Sequence, residues 1–144
     1  MPTDHTRIGR IPIRHLSPRQ PENRWPAKSY VGEVVPFEAT VFREGHGLIG
    51  AEVVLTHPDG RESVHAMQLL APGTDRWRAQ IVSTEPGRHA YRIRAYSDDW
   101  ASWLHAATIK IGAGDDAELV FAMGAELLER VPGKMAADAR AAFL

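Results

Sequence analysis

Hydrophobic residues along the first two thirds of this chain recur at every second position, in short runs closed by turn residues. Val34 to Arg43 places Val35, Phe37, Ala39 and Val41 on one face and Glu38 and Thr40 on the other, and the REGHG turn follows. Gly50 to His57 (GAEVVLTH) is a second strand pattern. His57-Pro58-Asp59-Gly60 after it carries the proline and Asp-Gly chemistry of a tight hairpin turn, so Arg61 to Leu70 is predicted as the return strand. Arg76 to Val82 alternates Trp77, Ala79 and Ile81 against Arg76, Arg78 and Gln80, the pattern of a strand with one wet face. Glu85-Pro86-Gly87 turns the chain into Arg88 to Tyr96, where His89, Tyr91, Ile93 and Ala95 oppose Arg88, Arg92 and Arg94. Ser97-Asp98-Asp99 breaks this run, and Trp103 to Ile111, with Leu104, Ala106, Thr108, Ile109 and Ile111, is predicted to close the series as a last strand. Upstream, Gly9 to Leu16 alternates around Pro12, which suits an edge strand, and the Pro-rich polar stretch after it reads as a connection.

Seven or so strands at this spacing, without helices between them, argue for an antiparallel β-sandwich of immunoglobulin-like shape in preference to a closed barrel. From Asp115 the period changes. Leu119, Val120, Met123, Leu127, Leu128 and Val131 fall at helical spacings, with Asp115, Asp116 and Glu118 at the end where the helix dipole favours acids. Gly112-Ala113-Gly114 is then a strand-to-helix joint, and Pro132-Gly133 stops the helix. Lys134 to Leu144 resumes an alanine-rich helical pattern with only Met135, Phe143 and Leu144 as large apolar anchors, too few for a stable isolated helix. The expected organisation is a sandwich over residues 1–113 and a helical segment over 114–144. A helical layer begun and not completed leads us to expect a piece of a larger protein.

Composition narrows the class. Of 144 residues, 44% are apolar and 24% charged, as in ordinary globular proteins. No apolar run reaches membrane-spanning length, and Met1 to Arg14 contains no apolar block of the kind a signal peptide needs, so a cytoplasmic location is expected. The absence of cysteine excludes disulfides, thiolate metal sites and a cysteine nucleophile. The net charge of -1 conceals a gradient. Arg7, Arg10, Arg14, Arg19, Arg24 and Lys28 stand against Asp4 and Glu22 at the start, while acids outnumber bases after Gly112. The basic residues are spread among prolines and apolar residues and form no dense patch, so no nucleic-acid partner is expected.

Candidate chemistry is sparse. The seven histidines show no H-x-H or H-x3-H pair beside a carboxylate, so no metal site is predicted. The adjacent acids Asp98-Asp99 and Asp115-Asp116 suit a turn or a helix cap better than a glycosidase pair, which needs two carboxyl groups facing each other across a cleft. No phosphate-binding or dinucleotide fingerprint is present and no cofactor is expected. The most unusual cluster is aromatic. Tyr96, Trp100 and Trp103 surround a predicted sharp turn, with Trp77 and Trp25 elsewhere. Such rings either stack on sugars or fill a core or a contact with another domain, and the second reading is favoured. Arg43 and His46 in the REGHG loop, together with Tyr96, Trp100 and Trp103, are the candidate surfaces for a neighbour or a glucan.

The blocks RWPAKSYVGEVVPFEATVFREGH, GTDRW, EPGRHAYRIRAYSDDWASWLHAATIKIGAG and AELLERV, in that order, resemble the amino-terminal domain of the actinobacterial α-1,4-glucan:maltose-1-phosphate maltosyltransferases, members of the α-amylase-like glycoside hydrolase superfamily. The similarity runs from Gly9 to Val131. It implies a β-sandwich followed by a helical insert and a (β/α)8 barrel, whose aspartate nucleophile and glutamate acid/base transfer a maltosyl unit from maltose 1-phosphate to the non-reducing end of an α-glucan. No catalytic residue carries over, because none of the barrel motifs occurs in this sequence. The resemblance therefore implies an inactive piece that helps build a homodimer and flanks the catalytic domain. Two alternatives stay open: a glucan-binding module using Trp100 and Trp103, and a free-standing adaptor.

Overall fold

The computed structural model describes residues 11–45, 47–114 and 117–130. Among the described residues seven strands form in chain order: β1 (Ile13–Ser17), β2 (Val34–Val41), β3 (Ile49–Thr56), β4 (Glu62–Ala66), β5 (Gln68–Leu69), β6 (Arg76–Val82) and β7 (Ala90–Ser97). They pair antiparallel in two sheets, ordered β1-β2-β6-β5 and β4-β3-β7. Period-two alternation determines which side chains meet between the sheets. Phe37, Ala39 and Val41 of β2 and Ala79 and Ile81 of β6 are buried facing Ala51, Val53 and Leu55 of β3. Tyr91, Ile93 and Ala95 of β7 pack on this core, and the Tyr91 ring meets Phe37 edge-on, with centroids 4.9 Å apart. The chain is thus a mainly β protein, a two-sheet sandwich with a helical extension.

The predicted return strand Arg61 to Leu70 is two strands. β4 pairs with β3 in one sheet and β5 with β6 in the other, so the chain crosses between sheets at Met67. Met67 is buried in the core, and its N–H donates to the Ala51 carbonyl at 2.8 Å, which keeps the crossing backbone satisfied.

The predicted strand Trp103 to Ile111 is a helix. α1 spans Asp99–Ala113. The Asp98 side chain accepts the Ala101 N–H at 2.8 Å, so the Ser97-Asp98-Asp99 break is a helix N-cap. On α1 the buried position is Ala107, four residues after Trp103, while Leu104, Ile109 and Ile111, read as strand residues, are exposed. Gly114 is consequently a helix C-cap and no strand-to-helix joint: its φ of 79° is left-handed, and its N–H reaches the carbonyls of Ile111 and Lys110. α2 spans Ala117–Glu129 and buries Val120 and Gly124. Asp115, Asp116, the Pro132-Gly133 stop and the expected helix over 134–144 lie outside the described residues.

The chain divides into two compact units, Met1–Ser97 and Asp98–Leu144. Within the second, the Trp103 indole joins the helices: its Nε1–H donates to the Val120 carbonyl at 2.8 Å, and its six-membered ring lies against Gly124. A Cβ at Gly124 would overlap that ring, so the close approach requires glycine. No helix among the described residues is long and apolar enough to cross a membrane.

Candidate functional site

Outside the core, the sandwich is held by arginine–carboxylate pairs across strands. Glu38 accepts from Arg78 Nε at 2.6 Å and from Arg76 Nε and Nη2 at 3.2 and 3.1 Å. The two guanidiniums, the Arg78 hydrogen bond foremost, hold its carboxyl below the usual glutamate range. Arg94 donates to Glu52 at 2.7 Å and Arg92 to Glu62 at 2.6 Å. Arg61 binds Glu85 at 2.7 Å. These pairs neutralise the wet faces that alternation predicted.

The residues singled out in sequence fall in both units. Arg43 donates from Nη1 to Ser97 Oγ at 2.9 Å, tying the loop after β2 to the end of β7. His46 lies outside the described residues. Tyr96 is half exposed at the end of β7, its ring lying directly over Gly50. Trp100 and Trp103 stand on the first turns of α1, where a sharp turn was expected, with ring centroids 4.8 Å apart and planes tilted by 31°. Both are partly buried, and Trp103 spends its only donor on Val120. The Trp103 ring is engaged in helix packing, and the Trp100 ring lies against it.

A polar cluster closes one edge of the sandwich. His57 Nε2 and His65 Nε2 both bond Ser63 Oγ, at 2.8 and 2.9 Å. His57 Nδ1 is buried without a hydrogen-bond partner, 4.0 Å from Glu85 Oε2. The His89 ring packs edge-on at 5.4 Å from His57, with Nε2 2.9 Å from Ser83 Oγ. The order Glu85, His57, Ser63 mimics a nucleophile triad, yet the 4.0 Å gap is too long for the orienting hydrogen bond, and the hydroxyl is shared with a second imidazole. Among the described residues no group of three or more metal-ligating side chains is placed to hold an ion.

A concavity lies at the end of the sandwich where β2 and β7 begin and β3 and β6 finish. It encloses about 830 Å³, with a floor of Val35, Phe37, Leu55 and Ile81. The connecting segment from Pro18 to Tyr30 forms its outer wall and is anchored by Tyr91, whose hydroxyl donates to the Pro18 carbonyl at 2.9 Å. Burial raises the Tyr91 pKa, partly offset by the charge of Arg19. Trp25 and Tyr30 line this wall and are 76% and 85% exposed. By its Pro-rich polar sequence this segment reads as a connection. The available signal was two aromatic rings in a Pro-rich stretch without an alternating partner to bury them.

Comparison with known proteins assigns the chain. Residues 9–143 match the family described as alpha-1,4-glucan:maltose-1-phosphate maltosyltransferase, domain N/S. A maltosyltransferase of that name from Streptomyces coelicolor is 47% identical over 132 residues, covering 91% of this chain and 20% of the relative. The Corynebacterium glutamicum protein is 36% identical over 143 residues, covering 94% of this chain and 21% of its own length. That of Rhodospirillum rubrum is 38% identical over 128 residues, covering 83% and 19% respectively. The chain thus spans about a fifth of the length of the curated relatives it matches. With a family match over nearly its whole length, and a sandwich followed by two helices underneath it, this chain belongs to the N/S-domain family of the α-1,4-glucan:maltose-1-phosphate maltosyltransferases.

Proposed function

We propose that this chain is the non-catalytic amino-terminal part of a cytoplasmic enzyme that transfers maltosyl units from maltose 1-phosphate to the non-reducing end of α-1,4-glucans, releasing phosphate. The supporting observation is the asymmetry of coverage: 91% of this chain aligns with only 20% of a maltosyltransferase at 47% identity. Its own role is assembly. The immunoglobulin-like sandwich and the helices offer surfaces to the helical insert and catalytic barrel of the parent, and to a second copy of the parent in a homodimer. Exposed Ile109 on α1 and Leu119 and Phe121 on α2 support such contacts, because side chains of this size gain most from being covered.

The glucan-module alternative has less support, since Trp103 packs on Val120 and Gly124 of α2 and the Trp100 ring lies against Trp103. The test compares the 144-residue chain with the same chain continued into the remainder of its parent. Phosphate release from maltose 1-phosphate with glycogen as acceptor is measured, and mass is followed by analytical ultracentrifugation. We expect no release from the short chain, release from the long one, and a dimeric long chain. Turnover by the short chain, or a monomeric and inactive long chain, refutes the assignment.

A further inference from the structure

The cleft at the end of the sandwich gathers cations and lacks acids, while most arginines on the sheet faces are paired. Arg61, Arg76, Arg78, Arg92 and Arg94 each hold a carboxylate. Arg19, Lys28 and Arg88 line the cleft, and among the described residues none of them has a carboxylate partner. Among the described residues no aspartate or glutamate lines the cleft. The nearby acids are used elsewhere: Glu22 faces Arg24, Glu33 accepts the Tyr30 N–H at 2.7 Å, and Glu85 binds Arg61. Three cations lining one concavity give it a positive potential that favours an anion.

The remaining lining specifies the body of that anion. The floor is apolar, and the wall carries the exposed faces of Trp25 and Tyr30. Flat aromatic rings beside an apolar floor suit a molecule with a ring of its own, either the CH face of a sugar or the π face of a base. A volume of about 830 Å³ falls within the range of small-molecule sites and exceeds what a bare ion needs. A phosphate monoester carries close to two negative charges near neutral pH, and Arg and Lys are the usual donors to it.

We propose that this cleft is a binding site for a small ring-bearing phosphate monoester, with Arg19, Lys28 and Arg88 on the phosphate and Trp25 and Tyr30 on the ring. The site lies wholly within the sandwich and does not depend on the reading of the parent enzyme. Calorimetric titration of the 144-residue chain with glucose 6-phosphate and with AMP tests it, using glucose and orthophosphate as controls. At least one ring phosphate should bind saturably and about ten-fold or more tighter than either control, and the better of the two separates sugar from base. Arg88→Ala and Trp25→Ala should each weaken binding by about ten-fold at an unchanged thermal midpoint, since both side chains are exposed. Both phosphates failing to bind by about 10 mM overturns the site. So does glucose or orthophosphate binding as tightly as the better ring phosphate, or both variants retaining the original affinity.

Discussion

Gly124→Ala tests the helical unit most sharply, because two effects of known size oppose each other there. In a helix interior, alanine is favoured over glycine by about 1 kcal/mol, so α2 taken alone predicts stabilisation. Its packing predicts the reverse. A Cβ at position 124 would lie 2.6 Å from Trp103 Cε2 and 2.9 Å from Cη2, against an ordinary carbon–carbon separation of about 3.5–4.0 Å. The indole cannot simply withdraw, since its Nε1–H is bonded at 2.8 Å to the Val120 carbonyl, one turn earlier on the same helix. Overpacking of this kind costs about 1–3 kcal/mol, so the variant should be destabilised by up to about 2 kcal/mol after the propensity gain is subtracted. Removing the ring should invert the sign. In a Trp103→Ala background, Gly124→Ala should stabilise the helices by about 1 kcal/mol, giving a coupling of about 1–3 kcal/mol between the two positions. Amide hydrogen exchange across α1 and α2 in the four variants measures this, with the Trp103 indole N–H as a local reporter where the ring is present. Increased protection in Gly124→Ala, or equal effects in both backgrounds within about 0.5 kcal/mol, would refute the packing.

Glu38→Gln should cost about 1–2 kcal/mol at neutral pH, because two guanidiniums lose their shared carboxylate. The folded pKa of Glu38 is lowered, so its stabilisation is complete above the ordinary glutamate value of about 4.3 and is lost as pH falls through the folded value. The stability gap between wild type and variant in urea titrations should therefore close on acidification; a gap that persists with Glu38 fully protonated contradicts the assignment. Val53→Ala should cost about 2–3 kcal/mol by the same assay, as Val53 is 0% exposed between the sheets. Asp98→Ala should remove about 1 kcal/mol of protection from the first turn of α1 while leaving β3 and β7 amides unchanged. Loss spread evenly over both units would show that Asp98 does more than cap the helix.

The sandwich was legible wherever a strand has one wet face. β2 and β6 show their inward sets, Val35 to Val41 and Trp77 to Ile81, at every second position, because an antiparallel strand between core and solvent must alternate. The same rule misled at α1. Leu104, Ala106 and Thr108, then Ile109 and Ile111, alternate and end in β-branched residues, yet the packing positions are Trp103 and Ala107, four apart. A small buried alanine contributes little to any hydrophobic pattern, and the Asp98 cap that decides the matter reads locally as a turn. The crossing at Met67 was equally hidden, since β4 and β5 follow each other in sequence and differ only in which partner strand they meet.

The sequence by itself determined the sandwich, its inward faces and, through blocks in fixed order, the family, because these depend on local periodicity and residue identity along the chain. Only the tertiary structure decided which charges are satisfied. Register across strands gives Glu38 to Arg76 and Arg78, and Glu52 to Arg94, while the fold brings Arg88 to the cleft that Arg19 and Lys28 line, with no acid among its described lining residues. Charge pairing depends on distances of a few ångströms between strands, and those distances exist only once the sheets have formed.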